Sequence, residues 1–123
     1  MGTRYQRRVS ELVHVHLATL LERETKDPRL GLVTITDVEV TPDVKQAKVY
    51  FTVLGGKEAR EEAQAGLRSA AGWLRRELGR RVRLRHVPEL IFRYDRSLER
   101  GERISAILDE LGFGDEESDT GES

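Results

Sequence analysis

Apolar residues in this chain recur first at helical spacing, then in alternation, then at helical spacing again, and this order restricts the available folds more than any short motif does. Val9, Leu12, Val13, His16, Leu17, Leu20 and Leu21 place one apolar stripe on a helix from about Tyr5 to Glu24. The stretch KDPRLG, Lys26 to Gly31, ends it. Pro28 disfavours helical geometry at Asp27 and has no N–H for a helical ladder, and Asp27 is expected to stabilise the turn. In LVTITDVEV, Val33 and Ile35 alternate in one phase and Val38 and Val40 in the other, which predicts a strand with a bulge or twist near Asp37. QAKVYFTVL keeps one phase through Ala47, Val49, Phe51 and Val53. The intervening TPDVK supplies Pro42 and Asp43 for a turn, so the two strands are expected to form an antiparallel hairpin.

Helical periodicity returns in GGKEAREEAQAGLRSAAGWLRREL. Here Ala59, Ala63, Leu67, Ala70, Ala71, Leu74 and Leu78 share a face whose small residues can lie close to a sheet. A third strand is centred on Leu90, Phe92 and Tyr94, with Pro88 near its start. SLERGERISAILDEL predicts a short helix over about 98–111, with Leu98, Ile104, Ile107, Leu108 and Leu111 as its apolar positions and Asp95 and Ser97 as its caps. Residues 112–123 are too acidic and polar to bury a core and are expected to be a disordered tail. The expected architecture is an α+β domain over 1–111, with helices on one face of a small three-stranded sheet.

A chain of 123 residues with 37% hydrophobic content supports one modest core. No run approaches the roughly 20 apolar residues that span a bilayer, and MGTRYQRRVSELV lacks the apolar segment of a secretory signal, so a cytoplasmic location is expected. The absence of cysteine removes disulfide frameworks, thiolate zinc sites and cysteine nucleophiles together. His14 and His16 point in different directions on one helix and His86 lies elsewhere, so no metal site is expected. GGKE at Gly55 to Glu58 resembles the end of a phosphate loop. It lacks the glycine five positions before Gly56 and has Glu58 where Ser or Thr would hold magnesium, so it reads as a turn and helix start. The carboxylate pairs Glu61 with Glu62 and Glu116 with Glu117 fall on exposed faces and offer no sheltered acid and base.

A net charge of -1 conceals a strong asymmetry. Residues 109–123 carry seven acids and no base, which leaves residues 1–108 with all 21 bases against 15 acids. Arginine accounts for 17 of those bases, and seven of them lie between Arg68 and Arg85 beside a single acid, Glu77. Guanidinium presents planar, multiple donors suited to phosphate oxygens, so the bias points to nucleic acid; the alternative is a solvated helix face.

Within SAAGWLRR, Gly72 sits in the middle of the second helical segment, where glycine costs about 1 kcal/mol relative to alanine. On a straight helix Arg68, Gly72, Arg75 and Gly79 line one flank of the buried stripe. Gly72 then bends the helix, lets it pack closely with Ala70 and Ala71, or admits a sugar-phosphate strand between Arg68 and Arg75. Trp73 leaves the stripe, either to pack against the first or last helix or to stack on a base.

The ordered series RV at Arg8 and Val9, DPRLG at Asp27 to Gly31, VTITDVEVTPDVKQAKVYFTVL, AAGWLRRELGRRVRLRHVPELIF and DRSLERGERI resembles the bacterial ribosome-binding factor A family. The resemblance implies a type II KH-like domain with a mixed sheet. In that fold the usual Gly-x-x-G loop between two helices is replaced by an Ala-x-Gly kink, here Ala70, Ala71 and Gly72. The chain contains no Gly-x-x-G, so readout of successive bases in a groove is not expected. The resemblance further implies a non-enzymatic assembly factor that binds the free or immature small ribosomal subunit and its ribosomal RNA and supports late RNA maturation, especially in the cold. Such a factor is expected to be a monomer with no cofactor, membrane or small-molecule substrate. Phosphate contacts are expected from Arg75, Arg76, Arg80, Arg81 and Arg85, from Arg29 in the loop after the first helix, and from Arg4, Arg7 and Arg8 as auxiliaries. Arg85 and Arg93 would alternatively pair with Glu89, Asp95 or Glu39. The competing readings are a generic RNA-binding protein, an adaptor between proteins on the ribosome, and a small phosphoester-cleaving enzyme. The acidic tail is expected to shield the basic body from non-specific RNA.

Overall fold

In a computed structural model, which describes residues 3–97, the chain forms α1 (Arg4–Arg23), a 3-10 turn (Pro28–Leu30), β1 (Val33–Val40), β2 (Gln46–Val53), α2 (Lys57–Arg81) and β3 (Glu89–Tyr94). The short helix expected over 98–111 and the tail expected over 112–123 lie outside the described residues. A capping box starts α1: Thr3 Oγ1 accepts from the Gln6 N–H, and Gln6 Oε1 accepts from the Thr3 N–H. The buried residues of α1, Val9, Val13, Leu17, Leu20 and Leu21, all belong to the stripe its periodicity selects, whose other two members, Leu12 and His16, are half-buried. Asp27 caps the 3-10 turn through the Arg29 N–H, and Pro28 occupies its first position.

The sheet has the order β1-β2-β3, with β1 antiparallel and β3 parallel to β2. Ile35 pairs with Phe51 and Asp37 with Tyr50, so one extra residue in β1 produces the bulge that its phase change predicts. Val44, in the turn between β1 and β2, has φ 59, a strained value for a β-branched residue. Its side chain joins the core, and that burial offsets the strain.

Both outer edges of the sheet are covered from above by helix side chains. On β1, Gln6 Nε2 donates to the Val40 carbonyl at 3.0 Å and His14 Nε2 lies 3.2 Å from the Ile35 carbonyl. On β3, the Glu89 and Asp95 N–H groups donate to the Lys45 and Phe51 carbonyls on β2's side, so the backbone N–H and C=O groups of the even-numbered residues between them point to the outer edge of the sheet. Gln64 Nε2 of α2 takes the outward Phe92 carbonyl at 3.0 Å.

The helix α2 spans 25 residues with Ala70, Ala71 and Gly72 inside it, so a kink at that point lies within one helical element. One interior glycine costs only about 1 kcal/mol, and Leu67, Leu74 and Leu78, on both sides of Gly72, are fully buried in one core. Phe51 lies at the centre of that core and meets the Tyr94 ring edge to face, with centroids 5.7 Å apart. Trp73 is half-buried and packs against the core. Among the described residues no helix is long and apolar enough to cross a membrane, and no group of three or more His, Cys, Asp or Glu is placed to hold a metal ion.

Candidate nucleic-acid interface

The glycines of α2 divide its surface by function. Gly66 is buried, and a Cβ there would come within 3.1 Å of Leu30 Cδ2 and 3.2 Å of Arg29 Cβ, so Gly66 is what lets the 3-10 turn sit directly on the helix. This close approach is hidden in the sequence, because Gly66 only flanks the apolar stripe at Leu67. Gly79 receives the Val87 side chain, with 3.4 Å from a built Cβ to Cγ2. Gly72 faces open space apart from Arg76, whose Nη1 would lie 3.6 Å from a Cβ. The bared turn is therefore overlain by Arg76 and not flanked symmetrically by Arg68 and Arg75. Arg68 instead lines a groove of about 310 Å³ between α2 and β3, with Gln64, Ala71, Ile91 and Arg93 among its walls.

The expected contact residues fall into engaged and unengaged groups. Arg75 donates from Nε and Nη2 to the Val87 carbonyl, at 3.2 and 2.8 Å. Arg81 is ion-paired with Glu24 and lies 3.9 Å from Glu77. Arg80 is 3.5 Å from Glu77 but 76% of its side chain is exposed, so the pair is weak and the guanidinium remains accessible. Arg76 and Arg85 are exposed and make no ion pair among the described residues. Arg93 is likewise without an ion pair there, so the alternative pairing of Arg85 and Arg93 with Glu89, Asp95 or Glu39 does not form.

Arg29 grips Asp27, with Nη2 to Oδ2 at 2.6 Å and Nε to Oδ1 at 3.0 Å. The hydrogen bond from Arg29 holds the Asp27 carboxyl below its ordinary pKa, and the same bond raises that of Arg29. Nη1 takes no part in this pairing, and with 41% of its side chain exposed Arg29 keeps donors for a phosphate while it holds Asp27. Arg4, Arg7 and Arg8 are exposed on the first turns of α1. A helix of this length is about 30 Å long, and its far end, at Glu24, is the one that meets Arg81. The structure thus places these three away from the C-terminal end of α2.

Of the exposed arginines outside the set expected from the sequence, Arg83 adjoins that set, in the loop after α2. Between α2 and β3, Val82 and Pro88 are buried and Leu84 and Val87 are half-buried, while Arg83, Arg85 and His86 are exposed. The signal for Arg83 is present in VRLRHVP as an alternation of apolar and basic residues without a strand. With Arg76 and Arg80, the loop makes one cationic end to the molecule, formed by the last turns of α2 and its exit. Such a surface can bind phosphate oxygens by charge and by several N–H donors per side chain.

Comparison with known proteins places this architecture. The family model described as ribosome-binding factor A matches residues 5–108. A ribosome-binding factor A of Aromatoleum aromaticum is 53% identical over 104 residues, covering 85% of this chain and 82% of the relative. That of Pelobacter propionicus is 45% identical over 113 residues, covering 92% and 93%. Among solved structures, the crystal structure of ribosome-binding factor A from Thermus thermophilus matches with a TM-score of 0.64 and 29% identity, over 72% of this chain and 93% of that one. A homology model of the Thermus thermophilus factor, fitted into a cryo-EM map of its complex with the 30S subunit, matches with a TM-score of 0.59 and 31% identity, over 71% and 91%.

Proposed function

This chain belongs to the ribosome-binding factor A family, and from that premise we propose that it docks on the small ribosomal subunit by laying the arginines at the end of α2 against phosphates of the ribosomal RNA. The observation that carries the reading is the set of exposed guanidinium groups, Arg76, Arg80, Arg83 and Arg85, in a stretch whose only acid is Glu77. The relative fitted to a 30S complex directs the reading to the small subunit and not to RNA at large. Arg4, Arg7 and Arg8 form a second, separate patch, and within Ala70, Ala71 and Gly72 it is the glycine at which α2 bends most easily on binding.

The mechanism needs no bond to be made or broken. A surface that binds one RNA conformation better than its competitors shifts the population toward it by that difference in affinity. Late ribosomal RNA maturation in the cytoplasm benefits most in the cold, where misfolded RNA helices rearrange slowest. The acidic residues after Asp109 compete with RNA for the basic body and suppress non-specific binding.

Co-sedimentation with purified small subunits tests this reading. Binding is expected to fall steeply as salt rises from about 50 to 200 mM, by counterion release from the phosphates. The combined variant R76E/R80E/R83E/R85E is expected to lose binding while its circular dichroism melt stays that of the parent. Binding insensitive to both changes overturns the proposal, and retention on the ribosome through proteins alone would favour an adaptor. Incubation with RNA and a divalent metal is expected to yield no cleavage.

A further inference from the structure

Two of the four exposed arginines of the proposed interface, Arg83 and Arg85, lie on a loop without regular structure, residues 82–88, and a loop of that kind presents charges usefully only if something holds it. The structure shows three restraints. Val82 ends α2 with its N–H donated to the Leu78 carbonyl, and its side chain is buried. Val87 rests on the bare backbone of Gly79, and Pro88 is fully buried ahead of β3. Between these, the Val87 carbonyl receives both Nε and Nη2 of Arg75. A planar guanidinium delivering two N–H groups to one carbonyl oxygen fixes the direction of that peptide as well as its position.

We infer that Arg75 is a positioning residue, not a phosphate contact: it clamps the 82–88 loop so that Arg83 and Arg85 stand outward as a preordered phosphate-binding element. The inference rests on the RNA-docking reading above and assigns roles within it. Two of the donors of Arg75 are consumed inside the protein, whereas Arg83 and Arg85 have no ion-pair partner among the described residues. The clamp removes loop freedom before binding, so less entropy is lost when the RNA arrives.

Two measurements test it, one without RNA. In the free protein, backbone ¹⁵N order parameters for residues 83–87 are expected near the rigid value of about 0.85, falling below about 0.6 in R75A and staying unchanged in R76A. R75K, which keeps the charge but not the two-donor fork, is expected to loosen the loop partway and serves in place of R75A should that variant not fold.

In subunit binding, R83A and R85A are each expected to lower the slope of log affinity against log salt by about 0.7 to 0.9. R75A is expected to weaken binding roughly tenfold in the parent and to have no further effect in R83A/R85A, since it acts through those residues. Order parameters unchanged in R75A or R75K overturn the inference, as does an R75A effect of the same size in both backgrounds. If the parent does not bind small subunits, the functional reading fails while the order parameters still decide whether Arg75 holds the loop.

Discussion

Arg81 of α2 is ion-paired with Glu24, the residue that ends α1, so the two helices are tied together at their C-terminal ends. With 31% and 37% of the two side chains exposed, the pair is partly screened and contributes modestly. Glu24→Gln is expected to lower stability by at most about 1 kcal/mol, with a smaller loss at high salt, as read by urea denaturation at two ionic strengths. An equal loss at both would show that packing, and not charge, joins the helices.

Gly66 and Gly72 are six residues apart on one helix and are expected to respond oppositely to alanine. At Gly72 a methyl group meets only the flexible end of Arg76, so Gly72→Ala should gain up to about 1 kcal/mol of stability in the free protein. At Gly66 the methyl group would press on fully buried Leu30 and on Arg29 Cβ, and Gly66→Ala should lose about 1 to 2 kcal/mol despite its better helix propensity. Chemical denaturation of the two variants decides both signs. A destabilised Gly72→Ala would show that the free protein requires a bend there.

Gln64 protects the β3 edge through its bond to the Phe92 carbonyl. Gln64→Ala should cost about 1 kcal/mol, the usual worth of such a bond, and should promote self-association by baring an edge acceptor. Sedimentation velocity at rising protein concentration measures the second effect. A variant as monodisperse as the parent would mean that the edge is guarded by other groups.

The acid side of the stability profile follows from Asp27 and Asp43. The Arg29 side chain lowers the pKa of Asp27, and the Thr41 hydroxyl lowers that of Asp43, with the Lys45 N–H also contributing. Both folded values lie below the unfolded ones. The stabilisation is therefore complete above the ordinary carboxylate range and is lost as pH falls through the folded values. The D27N/D43N variant is expected to show a shallower fall in melting temperature between about pH 5 and pH 2 than the parent. Parallel profiles would remove these two carboxylates as a source of the acid transition.

Much of the fold was legible along the chain because burial repeats at the period of each element. Val9 to Leu21, the switch of phase between Ile35 and Val38, and the stripe from Ala63 to Leu78 needed only local spacing to identify α1, the bulged strand and α2. Charge counting found the arginine-rich end of α2 for a similar reason, since composition is additive along the sequence. What the sequence could not decide was how each arginine is used. The commitment of Arg75 to Val87, of Arg81 to Glu24 and of Arg29 to Asp27, and the exposure of Arg83, depend on which chain segments meet in space. A guanidinium is the same donor to a carbonyl, a carboxylate or a phosphate, and only tertiary contact determines which acceptor lies within reach.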